Sequence, residues 1–516
     1  MNDNKTSKNS IVAKFAVPIS FLILFFLAAN FTDCDLVTFW KRRSHLTDLV
    51  VDMIPPDFSY IQKILLPLFY TIQMSVTGTV LGIFFALVLS PFGAANLGFP
   101  AVIRRILRIV IQILRSFPAL ILALTATFLF GLGTFAGTFA ITLYTFAIMT
   151  KLTYEDASAA DVKAYQALRA MGVSKYVAYI HGILPEIIPG FLTNALYLLE
   201  TNVRHSSILG YVGAGGIGLL LNEKISWLEY DKVGTILLML FLTVCVIEYF
   251  SRYLAALIRK ERTIKKEQAR LLILFLAALF LICTFTLSLP DFSRTSPQTL
   301  RNMFAGFLQP DWSFFFSAEK DGLGYLLLET VCIAFIGTVI GAIVSAPLAF
   351  LNTKRFVPAP VSFLFNLVIM VIRSVPFLVY GLIFIRVSGP GAFTGVLTLA
   401  VCSIGLLTKR FTEALDALDP RPYHALLAMG VRPLPAICHS VLPQLKPVFT
   451  SIILYRFDVN IREASVLGLV GAGGIGAPLI FSMNQYAWEK AGAIMLGLIL
   501  LVWFIDMVSE KIGAGN

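Results

Sequence analysis

Long apolar runs separated by short polar segments form the main pattern of this chain. Residues 64–103 and 116–150 carry no charged side chain, and each run exceeds the roughly 20 apolar residues that a membrane-spanning helix needs. The strands of a membrane barrel would alternate polar and apolar positions, and these runs show no such alternation. The pattern therefore predicts an all-α polytopic membrane protein.

The composition agrees with a membrane environment. Of the 516 residues, 57% are hydrophobic and 14% are charged, whereas a soluble domain averages about 25% charged residues. So few charges cannot cover a water-facing surface, which excludes a soluble enzyme. The net charge of +11 is spread between the apolar runs, so nucleic-acid binding is not predicted. The cysteines form no C-x-x-C pair and the histidines show no metal-ligand spacing, so we expect no metal and no cofactor in this chain.

An internal repeat organises the chain. The segment SILGYVGAGGIG at 207–218 returns as SVLGLVGAGGIG at 465–476, with ten of twelve positions identical and an offset of 258 residues. The same offset relates three further pairs, Arg115 with Arg373, Gly172 with Gly430, and Pro185 with Pro443. The sequence thus predicts a tandem duplication, with repeats at 1–262 and 263–516.

Each repeat contains about six predicted spans. They lie at 12–30, 66–90, 104–130, 134–150, 187–204 and 233–257 in the first repeat, and at 271–289, 325–351, 362–387, 391–408, 446–461 and 490–508 in the second. Six spans return the chain to its starting side, so the two halves have the same orientation, as a parallel repeat. The fold prediction is therefore about twelve transmembrane helices in two six-helix halves that enclose one pathway.

Basic residues between the spans orient the chain. Placing both termini in the cytoplasm puts the basic residues of 104–105, 252–270 and 354–355 on the cytoplasmic side, as the positive-inside rule requires. Residues 41–43 would then lie outside. We interpret 36–53 as a helix on the outer membrane surface.

A polar segment of matching design lies between the fourth and fifth spans of each repeat. Asp161 and Asp419 are suited to capping a helix N-terminus, and a glycine follows each predicted helix. The helices, at 162–171 and 420–429, would each be about 15 Å long. One copy alone could be an ordinary amphipathic loop helix, whereas two copies at a fixed offset favour docking to a paired partner. The candidate docking residues are Gln166, Ala167, Gly172, His424, Ala425 and Gly430.

These segments resemble the cytoplasmic loop shared by membrane subunits of ATP-binding-cassette (ABC) importers, E-A-A-x-x-x-G followed by nine residues and I-x-L-P. This chain has QALRAMG at 166–172 and HALLAMG at 424–430, each followed by Leu-Pro at the expected distance. Among its departures from the pattern, Gln166 and His424 replace the glutamate, and Gly182 and Ser440 replace the isoleucine. The helix and its glycine are kept.

The glycine segments narrow the resemblance to the phosphonate-type permeases of that superfamily. Asn-x-Arg precedes each glycine segment, and R-S-F-P at 115–118 and R-S-V-P at 373–376 are similar to that family too. The resemblance covers about 60–258 and 322–510. It implies two fused permeases that import phosphonate, phosphite or phosphate across the bacterial inner membrane. It also implies an external solute-binding protein and two cytoplasmic ATPase subunits that use ATP and Mg.

Polar residues in the fifth span of each repeat are candidates for the substrate pathway. Glu200 and Arg204 lie four residues apart, as do Asp458 and Arg462, which is a favourable spacing for an ion pair on a helix. We predict that Arg and Asn donors form transient hydrogen bonds to an oxyanion, and that exchanging both asparagines for leucine impairs transport without lowering assembly. The alternative is that these residues anchor helix ends at the interface. The pathway candidates are Asn202, Arg204, Ser207, Asn460, Arg462 and Ser465.

A second set of residues is a candidate gate. Glycines between spans permit close helix approach or a broken backbone that lines a cavity, and pure packing is the alternative. An arginine near a proline in the third span has either a gate role or an anchoring role. The gate and packing candidates are Arg115, Pro118, Gly213, Gly215, Gly216, Arg373, Pro376, Gly471, Gly473 and Gly474.

The chain lacks the phosphate-binding loop G-x-x-x-x-G-K-[ST], so we expect a transport subunit rather than an enzyme, with ATP hydrolysis on separate subunits. The alternative is a secondary transporter driven by an ion gradient, since parallel repeats occur there too. That class would need unpaired carboxylates deep within spans. Apart from the two paired acids, the candidates are Glu248 and Asp506, both near a cytoplasmic end.

Overall fold

The computed structural model describes residues 19–259, 265–290, 297–317 and 319–514, and these ranges are almost wholly helical, with no strand. The all-α prediction is confirmed. The first half contains α1 (Ile19–Phe31), α2 (Leu36–Lys41), α3 (Arg43–Asp52), α4 (Ile61–Gly93), α5 (Ala101–Ser116), α6 (Ala119–Phe130), α7 (Thr134–Ala159), α8 (Lys163–Ala170), α9 (Lys175–Gly182), α10 (Leu184–Leu209), α11 (Ile217–Ser226) and α12 (Tyr230–Ile258). The second half contains α13 (Lys266–Phe285), α14 (Pro297–Leu308), α15 (Trp312–Phe315), α16 (Leu323–Asn352), α17 (Ala359–Ser374), α18 (Phe377–Ser388), α19 (Ala392–Ala417), α20 (Arg421–Ala428), α21 (Pro433–Ala436), α22 (Leu442–Leu467), α23 (Gly476–Asn484) and α24 (Trp488–Ala514).

The number of candidate spans agrees with the prediction. Eight of the described helices are long and apolar enough to cross a membrane, or up to eleven if each sharply bent helix pair counts as one span. Of the first predicted span, 12–30, the part before residue 19 lies outside the described residues, and the rest forms the shorter apolar helix α1. The segment 36–53, predicted as one surface helix, is helical as α2 and α3.

The predicted third spans are wrong in one respect, because each is broken. The helix pair α5 and α6 bends by 95°, and the pair α17 and α18 bends by 87°. Pro118 lies at the first break and lacks the N–H that a continuous helix would use. Phe117 before it is extended, with φ −92° and ψ 129°, as expected of a residue that precedes proline.

The described residues cluster into two compact units that cut across the sequence repeats. One unit, called the first-repeat unit, comprises the described residues of Leu49–Phe304 together with Ser374–Pro376. The other, called the second-repeat unit, comprises the described residues up to Asp48, the described residues of Ala305–Arg373, and the described residues from Phe377 to the end. The first helix of each repeat is thereby exchanged, since α1 belongs to the second-repeat unit and α13 to the first-repeat unit. The repeat boundary at 262 and 263 stays a prediction about the sequence.

Specific contacts hold these exchanged helices. The ring of Phe21 in α1 lies 5.5 Å from that of Phe335 in α16, between centroids. In the other unit, the buried Gln73 of α4 donates from Nε2 to Cys283 O at 3.0 Å and to Thr286 Oγ1 at 2.8 Å. A side-chain amide that bonds a helix carbonyl satisfies buried polar groups on both helices.

Glycines bring the central helices of each unit together. A Cβ on Gly82 of α4 would lie 2.6 Å from Thr145 Cβ of α7, and a Cβ on Gly341 of α16 would lie 2.4 Å from Ser403 Cβ of α19. Small residues four apart allow this close backbone approach between membrane helices. The approach places Thr145 and Ser403 at the centre of the unit that contains each.

Candidate functional site

The two short polar helices form at the predicted places. The structure gives α8 and α20, each one residue shorter at both ends than predicted. Each has eight residues and is therefore about 12 Å long.

An aspartate precedes each of these helices and binds its first N–H. Asp161 Oδ1 accepts the backbone N–H of Lys163 at 3.0 Å, and Asp419 Oδ1 accepts that of Arg421 at 3.0 Å. These backbone bonds, together with the Lys163 and Arg421 side chains, hold the pKa of both carboxyl groups below the ordinary value. Negative charge at this end also complements the helix dipole.

A glycine ends each helix in the left-handed conformation. Gly172 has φ +84° and Gly430 has φ +80°, and a Cβ at either position would meet nothing within 4 Å. Glycine is needed here for its backbone angle rather than for space. Val173 N donates to Leu168 O at 3.2 Å and Val431 N to Leu426 O at 3.1 Å, the six-residue bond of a Schellman motif.

Both helices present a slim exposed face. In α8 this face comprises Gln166, Ala167 and Ala170, with Met171 71% exposed just beyond the helix. In α20 the face comprises the equivalent positions His424, Ala425 and Ala428, with Met429 69% exposed. The two helices thus expose equivalent faces and have the same length.

A tyrosine anchors the opposite side of each helix. Tyr165 is 5% exposed, and its hydroxyl donates to Leu97 O at 2.7 Å. A Cβ on Gly182 would lie 2.8 Å from Tyr165 N, so the departure from isoleucine at this position lets α9 pass against α8. In the second repeat the Tyr423 ring packs on Phe356, with centroids 5.6 Å apart.

The two asparagines predicted to line the pathway lie at the centre of each unit. Asn202 is fully buried, and its Nδ2 donates to Thr79 Oγ1 and Thr145 Oγ1, both at 2.8 Å. One side chain on α10 thus bonds α4 and α7. Both of its N–H donors are engaged, so neither is available to an oxyanion in this conformation.

Asn460 forms the same arrangement in the second-repeat unit. It is fully buried, and its Nδ2 donates to Thr338 Oγ1 at 2.7 Å and to Ser403 Oγ at 2.9 Å. We therefore infer that the asparagines pin three helices together. Exchanging them for leucine would then lower stability as well as transport, contrary to the transport defect alone that the sequence predicts.

The predicted ion pairs form on both helices. Arg204 Nη2 lies 3.0 Å from Glu200 Oε1, and Arg462 pairs with Asp458 through both terminal nitrogens, at 3.1 and 2.6 Å. Arg204 keeps one buried nitrogen, Nη1, without a partner among the described residues. Ser207 and Ser465 are buried and donate to the carbonyls of Arg204 and Arg462, at 2.6 and 2.7 Å.

The second-repeat unit contains a further ion pair that was not predicted from the sequence. Arg456 is 4% exposed, and its Nη2 lies 2.8 Å from Glu463 Oε2. Its Nε also donates to Ser403 Oγ at 3.1 Å, the hydroxyl that accepts from Asn460. The available signal was an arginine and a glutamate seven residues apart, two helical turns along one face.

The glycine segments fold as tight turns between α10 and α11 and between α22 and α23. Gly213, Gly215 and Gly216 have φ between +76° and +82°, and Gly471, Gly473 and Gly474 between +77° and +79°. The turns dock on hydroxyls, since Ile217 N donates to Thr71 Oγ1 at 2.9 Å and Ile475 N to Thr330 Oγ1 at 3.1 Å. These contacts favour the packing role over the gate role.

The arginines of the third span lie beside the helix breaks. Arg115 Nη1 donates to Gln112 Oε1 at 3.3 Å, one turn before the bend that Pro118 marks. The side chain of Arg373 packs against Gly405, since a Cβ on Gly405 would lie 2.9 Å from Arg373 Cγ. Pro376 marks the second bend. A gate role for these residues stays a prediction.

Comparison with known proteins decides the family. The family model "Binding-protein-dependent transport system inner membrane component" matches residues 78–262 and 337–512. The chain belongs to this family. The double match confirms the tandem repeat and supports the ABC importer permease over the secondary transporter.

Some relatives match nearly the whole of this chain, and others match about a third of it. The "Phosphate-import permease protein PhnE" of Mycolicibacterium smegmatis is 28% identical over 474 residues, which cover 90% of this chain and 88% of that protein. The "Phosphite transport system permease protein PtxC" of Stutzerimonas stutzeri is 36% identical over 184 residues, which cover 36% of this chain and 67% of that protein. A solved structure of the MetNI methionine ABC transporter in inward-facing conformations aligns with a TM-score of 0.36 at 22% identity, over 39% of this chain and 99% of that one.

Proposed function

We propose that this permease imports a phosphorus oxyanion and is driven by two separate ATPase subunits, one on α8 and one on α20. The observation that carries the proposal is the pair of matching exposed faces on two short helices with equivalent caps and ends. The similarity to permeases named for phosphate and phosphite supports the substrate class. A solute-binding protein on the other side would deliver the anion, and both termini would be cytoplasmic.

The polar helices α10 and α22 fit a conduit better than a tight binding site. Each arginine there already has a carboxylate, at Glu200 and at Asp458, so the net positive charge is small. A site that must release its anion cannot hold it strongly. We assign Arg204, with its unpartnered Nη1, as the arginine most able to form a transient bond to the anion.

Transport tests the substrate and the energy source. The chain is expressed with its ATPase and binding protein, and cells are given radiolabelled phosphate, phosphite or methylphosphonate. We expect uptake of at least one anion that orthovanadate blocks and that an uncoupler leaves intact while ATP is held constant. Uptake that the uncoupler abolishes and vanadate does not affect would contradict an ATP-driven mechanism.

Substitution on the exposed faces tests the docking helices. Ala167→Arg and Ala425→Arg each place a long charged side chain on a face built from alanine. We expect each variant to reduce co-purified ATPase about tenfold, which corresponds to ~1.4 kcal/mol of docking free energy. Val177→Arg is the matched control, because Val177 is 42% exposed on the adjacent α9. Equal loss in the control would contradict a docking site confined to α8 and α20.

Two cysteines test the orientation. Cys438 is exposed between α21 and α22, and we expect an impermeant maleimide to label it only from the cytoplasmic side. Cys34 follows α1, and burial raises the pKa of its thiol. It should label only from outside, slowly at neutral pH and faster as pH rises, because the thiolate is the reactive form. Labelling of both from one side would overturn the proposed orientation.

A further inference from the structure

The helix α5 is amphipathic along its whole length. Six of its apolar side chains are 38–66% exposed: Val102, Ile103, Ile106, Ile109, Val110 and Ile113. At 3.6 residues per turn, Arg104 and Arg108 lie on the opposite side of the helix, and Arg105 lies at the edge of the apolar face, next to Ile109. A wide exposed apolar face opposite a basic face is typical of a helix that lies in the plane of a membrane interface.

The basic residues gather around the connection 94–100 between α4 and α5. Arg104 Nη1 donates to Ala95 O at 3.3 Å, and Arg108 donates to Gly93 O from Nε and Nη2, at 3.1 and 2.9 Å. Lys175 of α9 donates to Gly98 O. These carbonyls fix the positions of three cations, while Arg105 is exposed.

The positive charge at this connection is not neutralised. Within the part of the chain that the structure describes, none of Arg104, Arg105, Arg108 and Lys175 pairs with a carboxylate. Each guanidinium keeps N–H groups that the carbonyls do not use, because the planar group has five donors. Four cations without counter-charges therefore lie beside an exposed apolar surface.

The second repeat has the same helix without the charges. Its α17 exposes a comparable apolar set that includes Val361, Leu364 and Leu367. Ser362, Phe363 and Asn366 occupy the positions of the three arginines, at the offset of 258 residues. The apolar exposure is thus common to both repeats, whereas the three arginines on the helix belong to the first.

We propose that α5 and the connection 94–100 bind the phosphate group of an anionic phospholipid, at the membrane surface on the side of α8. Guanidinium groups match phosphate oxygens in pairs and are the preferred residues for that recognition. Free phosphate has the same head chemistry, but the apolar side chains beside the cations favour a ligand with acyl chains. The lipid tail covers Ile106 and Ile109 while its head lies over Arg105.

This site also bears on α8. The connection that holds the cations contains Leu97, and the Leu97 carbonyl accepts the hydroxyl of Tyr165 at 2.7 Å. A lipid head bound to the connection would therefore steady the support of α8. That consequence rests on the proposed function of α8, whereas lipid binding does not and is measured without ATP or transport.

Native mass spectrometry of the purified full chain tests the proposal, with phosphatidylglycerol as the anionic lipid and phosphatidylcholine as the neutral one. The variant Arg105→Gln/Lys175→Gln removes two charges, and each basic residue near a surface is worth about fivefold in affinity. We expect roughly 25-fold weaker phosphatidylglycerol binding by that rule, with phosphatidylcholine binding and Tm unchanged. Arg105→Lys should keep most of the affinity.

A gain-of-function variant tests the proposal without depending on the folding of the double-glutamine variant. Phe363 and Asn366 are exposed on α17, so Phe363→Arg/Asn366→Arg should add phosphatidylglycerol binding to the second repeat. Two results would overturn the proposal: unchanged phosphatidylglycerol binding by the double-glutamine variant, or displacement of that lipid by excess inorganic phosphate. The second result would assign the cations to a free oxyanion.

Discussion

Helices α10 and α22 share one architectural element and differ in the charges around it. Each carries a buried asparagine that bonds two hydroxyls on neighbouring helices. Four residues before and three residues after this asparagine, α10 has Leu198 and His205, whereas α22 has Arg456 and Glu463. The first unit has no ion pair at these two positions, and the second has one whose arginine is 4% exposed.

The shared element and the divergent one have different physical origins. An asparagine that pins three helices is needed wherever those helices pack, so both units require it. A buried ion pair carries a large desolvation cost that good geometry only offsets, so packing alone does not call for it. Packing of the three helices therefore explains the asparagines but not the ion pair of α22.

Breaking the ion pair should produce the largest effect. Arg456→Leu introduces the residue of the first repeat but leaves Glu463 without its cation. Removing one partner of a buried pair costs about 3–5 kcal/mol, so we expect a much lower Tm in detergent and less monodisperse protein.

The first repeat supplies the control for that variant. The double variant Arg456→Leu/Glu463→His recreates the pair Leu198 and His205 in α22. We expect it to recover most of the lost Tm, because no uncompensated charge remains. A double variant as unstable as Arg456→Leu would show that the arginine stabilises the unit through Ser403 rather than through Glu463.

Substitutions where α9 packs against α8 should change Tm by an intermediate amount. Gly182→Ala places a Cβ 2.8 Å from Tyr165 N, and such overpacking typically costs about 1–3 kcal/mol. The equivalent Ser440→Ala loses only the bond from Ser440 Oγ to Ala436 O. Thermal unfolding should show a clear fall in Tm for the first variant and a small one for the second. Equal Tm values would mean that α9 can shift away from α8 without cost.

Asn202 and Asn460 should contribute different amounts to the stability of their units, because Arg456 lies beside only one of them. In Asn202→Leu, Thr79 and Thr145 both lose a donor, and interhelical hydrogen bonds in membranes average about 0.6 kcal/mol each. In Asn460→Leu, Ser403 still receives the N–H of Arg456 at 3.1 Å. We therefore expect the larger loss of Tm in Asn202→Leu. The reverse order would contradict the bridging role of Ser403.

Local signals in the sequence predicted the helices and their ends, and missed what depends on distant contacts. Aspartate before and glycine after α8 and α20 are local features, so both helices were predicted to within one residue at each end. The break at Pro118 has a local signal, the proline itself, but a rule based on the length of an apolar run merges α5 with α6. The bond between Gln73 and Cys283 joins residues 210 apart, and no local pattern predicts it. The hydrogen bonds of Asn202 and Asn460 could not be predicted for the same reason, because the hydroxyls that accept them lie on other helices.

The smallest expected effect concerns the tyrosines that anchor α8 and α20. Tyr165→Phe removes the hydroxyl that donates to Leu97 O and leaves the carbonyl without that bond, at a cost of about 1 kcal/mol. Tyr423 has no hydroxyl hydrogen bond among the described residues and holds α20 through its ring on Phe356, so Tyr423→Phe should be nearly neutral. Hydrogen exchange at the amides of α8 and α20 measures this locally, since a weaker anchor raises local opening. Faster exchange in α8 of Tyr165→Phe, with unchanged exchange in α20 of Tyr423→Phe, would show that α8 is held to the α4–α5 connection by a bond that α20 lacks. Equal exchange in both variants would mean that the tyrosine rings alone hold the two helices, and that α8 does not depend on the connection that contains Leu97.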